Sequence, residues 1–148
     1  GAKMEIATMG RVTTEAMVEN LQDLWDVNRS MLAADQIRKV TISDALVDTG
    51  ATTLSLPSRL IKDLGLRKTS SKQVTTSSGE IVEAALYDAV RLTIQDRNCT
   101  IDVLEVPDNL PALIGQIPLE LLDFVVDLRG RKLIGNPAHG GEHMFELY

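Results

Sequence analysis

Ala45-Leu46-Val47-Asp48-Thr49-Gly50-Ala51-Thr52-Thr53-Leu54-Ser55-Leu56-Pro57 carries an apolar run into an acid, a small hydroxyl and a glycine, then resumes as a second run that stops at proline. An acid so placed stands where a strand ends and a turn begins, at the tip of a rigid element. The glycine lets another backbone approach closely. This is the layout a catalytic acid needs. The tripeptide Asp48-Thr49-Gly50 occurs once in the chain, which raises the question of where a partner carboxylate would come from.

Length and composition bound the answer. At 148 residues the chain suits one domain, able to bury about two thirds of its unfolded surface without disulfides or metals. A hydrophobic content of 44% beside 24% charged residues excludes disorder, and no apolar run approaches the roughly 20 residues that cross a bilayer. A soluble protein with no membrane partner and a cytoplasmic address is therefore expected. Residues 1–3 read as a cloning remnant. The single Cys99 has no internal partner and reads as a small buried residue of a reducing compartment. A net charge of -6 argues against nucleic acid, because phosphate binding needs a cationic surface. The nearest basic cluster, Arg129-Gly130-Arg131-Lys132, reads as a hairpin turn, and the few aromatic residues are too scattered to stack bases.

Along the chain, residues 11–19 alternate and are rich in strand formers, with Asn20 ending the run. Residues 21–37 show no clean period and read as a connecting segment with a helical turn. Residues 39–48 read as a second strand, with Val40, Ile42 and Leu46 on one face. Leu60, Ile61 and Leu64 share a helical face after Pro57, and Gly65 supplies a stop. Residues 72–76, the turn Ser77-Ser78-Gly79-Glu80 and the stretch 81–95 form a hairpin with a polar, glycine-bearing tip. Asp96-Arg97-Asn98 reads as a turn before a strand over 99–106, which the Pro107-to-Pro111 segment breaks. Ala112-Leu113-Ile114-Gly115 leads to a short helix near 118–122, a strand over 124–126 and a return strand at Leu133 and Ile134. Asp127 ends its strand. Short, closely spaced strands with two small helices describe a mainly β barrel or sandwich. Neither an internal repeat nor a linker is present, so residues 1–148 read as one domain with its core over about 9–136.

Taken together, these residues resemble the retropepsin-like aspartic proteases, the single-lobe retroviral and bacterial clan. The resemblance rests on Val47-Asp48-Thr49-Gly50-Ala51 followed by Leu54, on the glycine-tipped hairpin about thirty residues later, and on Leu113-Ile114-Gly115 running into a short helix. It covers roughly residues 40–135, and the segment 113–120 looks like bacterial members in particular. The tripeptide alone would arise by chance about once in thirty chains of this length, whereas the ordered combination is far more specific.

The resemblance implies a single-lobe acid protease barrel and an aspartic endopeptidase with no cofactor and no metal. Asp48 would be the catalytic carboxylate, Thr49 would hold the active-site loop through its hydroxyl, and Gly50 and Ala51 would complete that loop. Leu113, Ile114 and Gly115 would support it. Thr75, Thr76, Ser77, Ser78, Gly79 and Glu80 would form a flap closing over a peptide or protein substrate. Two carboxylates sharing one proton titrate far apart, so one serves as base and the other as acid. With one copy per chain, the family's manner demands a two-fold homodimer.

Some features depart from the family. Many retroviral members carry an acid two residues after the glycine and an arginine just after the later apolar-apolar-glycine. Here Thr52 and Gln116 stand there, a neutral pair able to hydrogen-bond. The flap lacks an obvious aromatic or large apolar tip. His139 and His143, spaced by four with Glu142 between, invite a metal reading. Gly140 and Gly141 oppose the helix that reading needs, so a solvated tail is expected. The tail over 137–148 is alternatively a dimer strand. A competing functional class is a peptide-binding or assembly module that keeps the fold and hydrolyses little.

Overall fold

The computed structural model describes residues 11–144. The first strand, β1 (Val12–Asn20), runs straight into a helix, α1 (Leu21–Asn28), because Asn20 does both jobs. Its side-chain oxygen accepts the Asp23 N–H at 2.9 Å, capping α1, while its Nδ2 donates to the Leu64 carbonyl at 2.8 Å. The connecting segment expected over 21–37 thus holds two full helical turns and a 3-10 turn, Ala34–Gln36. Its period was obscured because Leu21 and Asp23 are both buried while Trp25 is half-exposed. Asp23 tolerates burial because Arg38 donates to it from its backbone N–H at 2.9 Å and from Nε and Nη2 at 2.9 and 3.0 Å.

Next come β2 (Lys39–Val47), β3 (Leu54–Pro57), helix α2 (Ser58–Asp63), β4 (Lys68–Thr75), β5 (Ile81–Ile94) and β6 (Arg97–Val106). They are followed by β7 (Leu113–Ile114), helix α3 (Gln116–Leu121) and the hairpin strands β8 (Phe124–Asp127) and β9 (Lys132–Gly135). The large sheet has the order β1-β2-β7-β3-β6-β5-β4, and a further β1–β5 pairing closes its first six strands into a barrel. β4 lies outside that closure as an arm on β5. The mainly β barrel with short helices is what the sequence led one to expect. Its core comes from alternate residues of every wall strand, among them Val18, Leu54, Leu56, Val90, Leu92, Val103 and Ile114, all fully buried.

Two strand details differ from the expectation. In β2 the pairing steps from Ala16↔Ile42 to Thr14↔Ala45, an extra residue that makes a bulge. The inward phase therefore switches from Val40 and Ile42 to Ala45 and Val47, and Leu46 does not share their face. Between β5 and β6 the turn is Gln95-Asp96, both at positive φ (49° and 66°), the two-residue form that matches strand twist. Arg97 and Asn98, expected in the turn, already belong to β6.

The segment after β9 is not a solvated tail. Pro137–His139 forms a 3-10 turn, and residues through Met144 pack back on the α3–β8 junction. His143 and Met144 have no strand structure, and residues 145–148 of the expected dimer strand lie outside the described residues.

Candidate active site

Asp48 directly follows β2, and its position is set by β7. The Leu46 N–H donates to the Ala112 carbonyl at 2.9 Å and the Asp48 N–H to the Ile114 carbonyl at 3.0 Å, a parallel ladder along the strand that delivers the acid. The chain then turns tightly. The Ala51 N–H donates to the Asp48 carbonyl at 3.1 Å, and the Gly50 N–H donates to Asp48 Oδ1 at 2.9 Å. One carboxylate oxygen is thereby oriented by its own loop, and Asp48, Thr49 and Gly50 are all exposed.

The far side of the turn is bolted to the start of α3. Gly115 donates to the Thr53 carbonyl at 3.0 Å, Gln116 to Ala51 at 2.9 Å and Ile117 to Thr52 at 2.9 Å. β7 lies between β2 and β3, parallel to the first and antiparallel to the second, so the two strands flanking the Asp48 loop are held apart by a third from far along the chain. Gly115 is required by contact. A Cβ there would lie 2.6 Å from the Thr53 carbonyl oxygen and 2.7 Å from that of Ala51. The structure thus brings Asp48, Thr49, Gly50 and Ala51 together with Leu113, Ile114 and Gly115.

The expected flap is a hairpin of β4 and β5, paired from Lys68↔Tyr87 to Thr75↔Ile81. At its tip the Thr76 N–H donates to the Glu80 carbonyl at 2.8 Å, the Gly79 N–H to the Thr76 carbonyl at 2.9 Å, and the Thr76 and Ser78 hydroxyls lie 2.9 Å apart. Gly79 has φ +84° with open space where a Cβ would be. The arm connects to the Asp48 loop through the sheet, β5 pairing with β6 and β6 with β3. The tip is less polar than the sequence suggests. Ile81, the first residue past the turn, is 67% exposed, an apolar group that alternation would have placed on one hairpin face.

Side-chain geometry corrects one further expectation and separates the two histidines. The Gln116 amide donates to Glu120 Oε1 at 3.0 Å along α3, so no Thr52–Gln116 pair forms. The i to i+4 spacing on one helical face supplies a nearer acceptor than Thr52. His139 and His143 do not converge: His139 Nδ1 lies 2.7 Å from Asp123 Oδ2, whereas His143 Nε2 lies 3.0 Å from the Leu121 carbonyl. Among the described residues no three His, Cys, Asp or Glu side chains gather as a metal site. Cys99 is buried on β6, and desolvation pushes its thiol up to about 11.

A family model described as aspartyl protease matches residues 36–117, from ahead of β2 into the first turn of α3. A solved structure titled EIAV protease complexed with the inhibitor HBY-793 is similar at 21% identity and a TM-score of 0.49, covering 74% of this chain and 86% of that one. No curated protein matches the chain. The matched segment contains the Asp48 turn, the hairpin arm and the strand that inserts beside the acid, and it spans more than half of the sequence, so the chain belongs to the aspartyl protease family.

Proposed function

We propose that the protein is an aspartic endopeptidase whose active site forms when two copies set their Asp48 carboxylates face to face across a two-fold axis. The observation that carries this reading is an exposed acid on a loop fixed by five backbone hydrogen bonds, from Asp48, Ala51, Gly115, Gln116 and Ile117, in a chain holding Asp-Thr-Gly once. The second carboxylate then comes from a second copy.

In that pair one carboxylate is ionised and the other protonated, since two adjacent charges oppose each other. The ionised group takes a proton from a water as its oxygen attacks the scissile carbonyl, and the protonated group donates toward the carbonyl oxygen. Proton return to the departing amine then breaks the C–N bond. The hydrogen bond from the Gly50 N–H to Asp48 Oδ1 orients the carboxylate within its own turn. Thr49, exposed beside it, holds the active-site loop through its hydroxyl. The β4–β5 hairpin closes on an extended peptide, offering backbone groups as an added strand, with Ile81 excluding water at its tip. The enzyme works in the cytoplasm without a metal or other cofactor.

The test is cleavage of an unfolded protein between acidic and neutral pH by the purified dimer. Activity is expected to vanish in Asp48→Ala and Asp48→Asn while dimerisation persists. Dimeric protein inert toward a broad peptide library would favour a peptide-binding module, and a monomer at high concentration would overturn the paired-acid site.

A further inference from the structure

The α3–β8 junction carries a second polar cluster, at the opposite end of α3 from the Asp48 loop. Asp123, at φ +57°, has its side chain 8% exposed and accepts from three groups of the following segment. These are Asn136 Nδ2 at 3.3 Å, His139 Nδ1 at 2.7 Å and the Met144 N–H at 3.2 Å. Its backbone carbonyl accepts the Asn136 N–H at 3.0 Å. Arg97, reaching over from β6, donates to the Leu122 and Asp123 carbonyls at 3.0 and 2.8 Å and to the Gly141 carbonyl, with its guanidinium 4.6 Å above the Phe124 ring. Residues 136–144 are thus gathered onto one carboxylate.

We propose that Asp123 and His139 form a proton-operated latch that fastens residues 136–144 to the end of α3, tight when the imidazole is charged and slacker when it is neutral. A neutral imidazole with its proton on Nδ1 still donates to the carboxylate, but the charged ring adds the attraction of a short ion pair in a site where His139 is 20% exposed. Among the described residues, the other charged groups of the cluster are engaged elsewhere or exposed. Arg97 donates from its guanidinium to the Leu122, Asp123 and Gly141 carbonyls, while the Asp123 carboxylate itself lies 2.7 Å from His139 Nδ1. His143 bonds the Leu121 carbonyl, Glu142 is exposed, and Glu120 on α3 is engaged with Gln116. β8 and β9 meet the cluster at Phe124 and Gly135 and carry Asp127 and Lys132 at the opposite end of their hairpin.

The hydrogen bond with His139, then those from Met144 and Asn136, hold the Asp123 carboxyl below its ordinary value against the opposing effect of burial. Asp123 therefore stays charged, and its share of the stabilisation is lost only as pH falls through that lowered value. The histidine share is fully present below the ordinary imidazole pKa of about 6.5, where the ring is charged, and is lost as rising pH removes its proton. The latch is tightest between about pH 4 and about pH 6.5.

The experiment follows both histidine rings by NMR against pH, with amide exchange over residues 137–144, in wild type, Asp123→Asn and His139→Gln. His139 should titrate above an ordinary imidazole, and exchange of the segment, corrected for intrinsic rates, should slow about tenfold from pH 8 to pH 5.5. In His139→Gln, which keeps an N–H donor and cannot titrate, that pH dependence should disappear even if Asp123→Asn fails to fold. An ordinary or lowered His139 titration, or equal pH dependence in His139→Gln, overturns the latch. No readout is catalytic, so the result is independent of the protease reading.

Discussion

An ideal Cβ on Gly115 would lie 2.6 Å from the carbonyl oxygen of Thr53, the same oxygen that accepts the Gly115 N–H at 3.0 Å. The two backbones are packed as closely as a hydrogen bond allows, and the Asp48 turn depends on that approach. Gly115 itself sits at φ -88°, ψ -173°, a conformation open to any residue, so the requirement is one of space.

Gly115→Ala should therefore push the start of α3 away from Ala51 and Thr53 without straining its own backbone. The neighbours it meets are carbonyl groups, which cannot swing aside as a side-chain end could. A loss of about 1–3 kcal/mol in urea unfolding is expected, with a larger proportional fall in cleavage rate. Equal stability and activity in the variant would show that the approach is dispensable.

If the active site is shared, Asp48→Asn chains should poison wild-type chains. Asparagine retains an acceptor for the Gly50 N–H, so the loop and dimer should persist. After subunit exchange with an equal amount of the variant, wild-type activity should fall to about half, since only about a quarter of the dimers carry two intact acids. Undiminished activity after proven exchange would mean that each chain works alone. Loss of the carboxylate in both chains should lower the rate by at least about 10²–10⁴-fold.

Acid stability should depend on Asp23. Hydrogen bonds from Arg38 hold its carboxyl below the ordinary value of 3.8 despite burial. Its stabilising contribution is thus present above about pH 4 and is lost as pH falls through the lowered folded value. Asp23→Asn should lose on the order of 1 kcal/mol at pH 7, a modest figure because solvent screens the half-exposed Arg38 guanidinium. The difference from wild type should narrow below about pH 4 in denaturation curves. A gap that stays constant down to pH 2 would assign the loss to packing.

Cys99 should resist alkylation in the folded protein. With its thiol pushed up to about 11 by burial, only about 0.1% is thiolate at pH 8. Labelling by iodoacetamide should be slow natively and rapid in denaturant. Comparable rates in both would show that β6 opens readily.

Much of the fold was legible because it is written in local patterns. The strand ending at Val47, the helix stopped at Gly65, the glycine-tipped hairpin and the Arg129–Lys132 turn each follow from period or turn chemistry within a few residues. The misreadings share another cause. Simple alternation puts Leu46 on the face of Val40 and Ile42, because the β2 bulge appears only in the pairing with β1. The helix α1 was understated because its cap residue Asn20 is held by Leu64, and its buried acid Asp23 by Arg38. Position alone pairs Gln116 with Thr52, whereas its side-chain amide donates to Glu120, one turn along the same helix.

The candidate site divides along the same line. The sequence by itself determined the placement of an acid at a strand end, the glycine behind it and the apolar-apolar-glycine run that could lie beside it. Only the tertiary structure decided that β7 enters between β2 and β3, that Gly115 touches Thr53, and that Asp123 gathers Asn136, His139 and Met144 into one cluster. Periodicity and propensity report what a residue does with its near neighbours. Contacts between residues more than a dozen positions apart are chosen by barrel closure and by the need to satisfy buried polar groups, which no local pattern encodes.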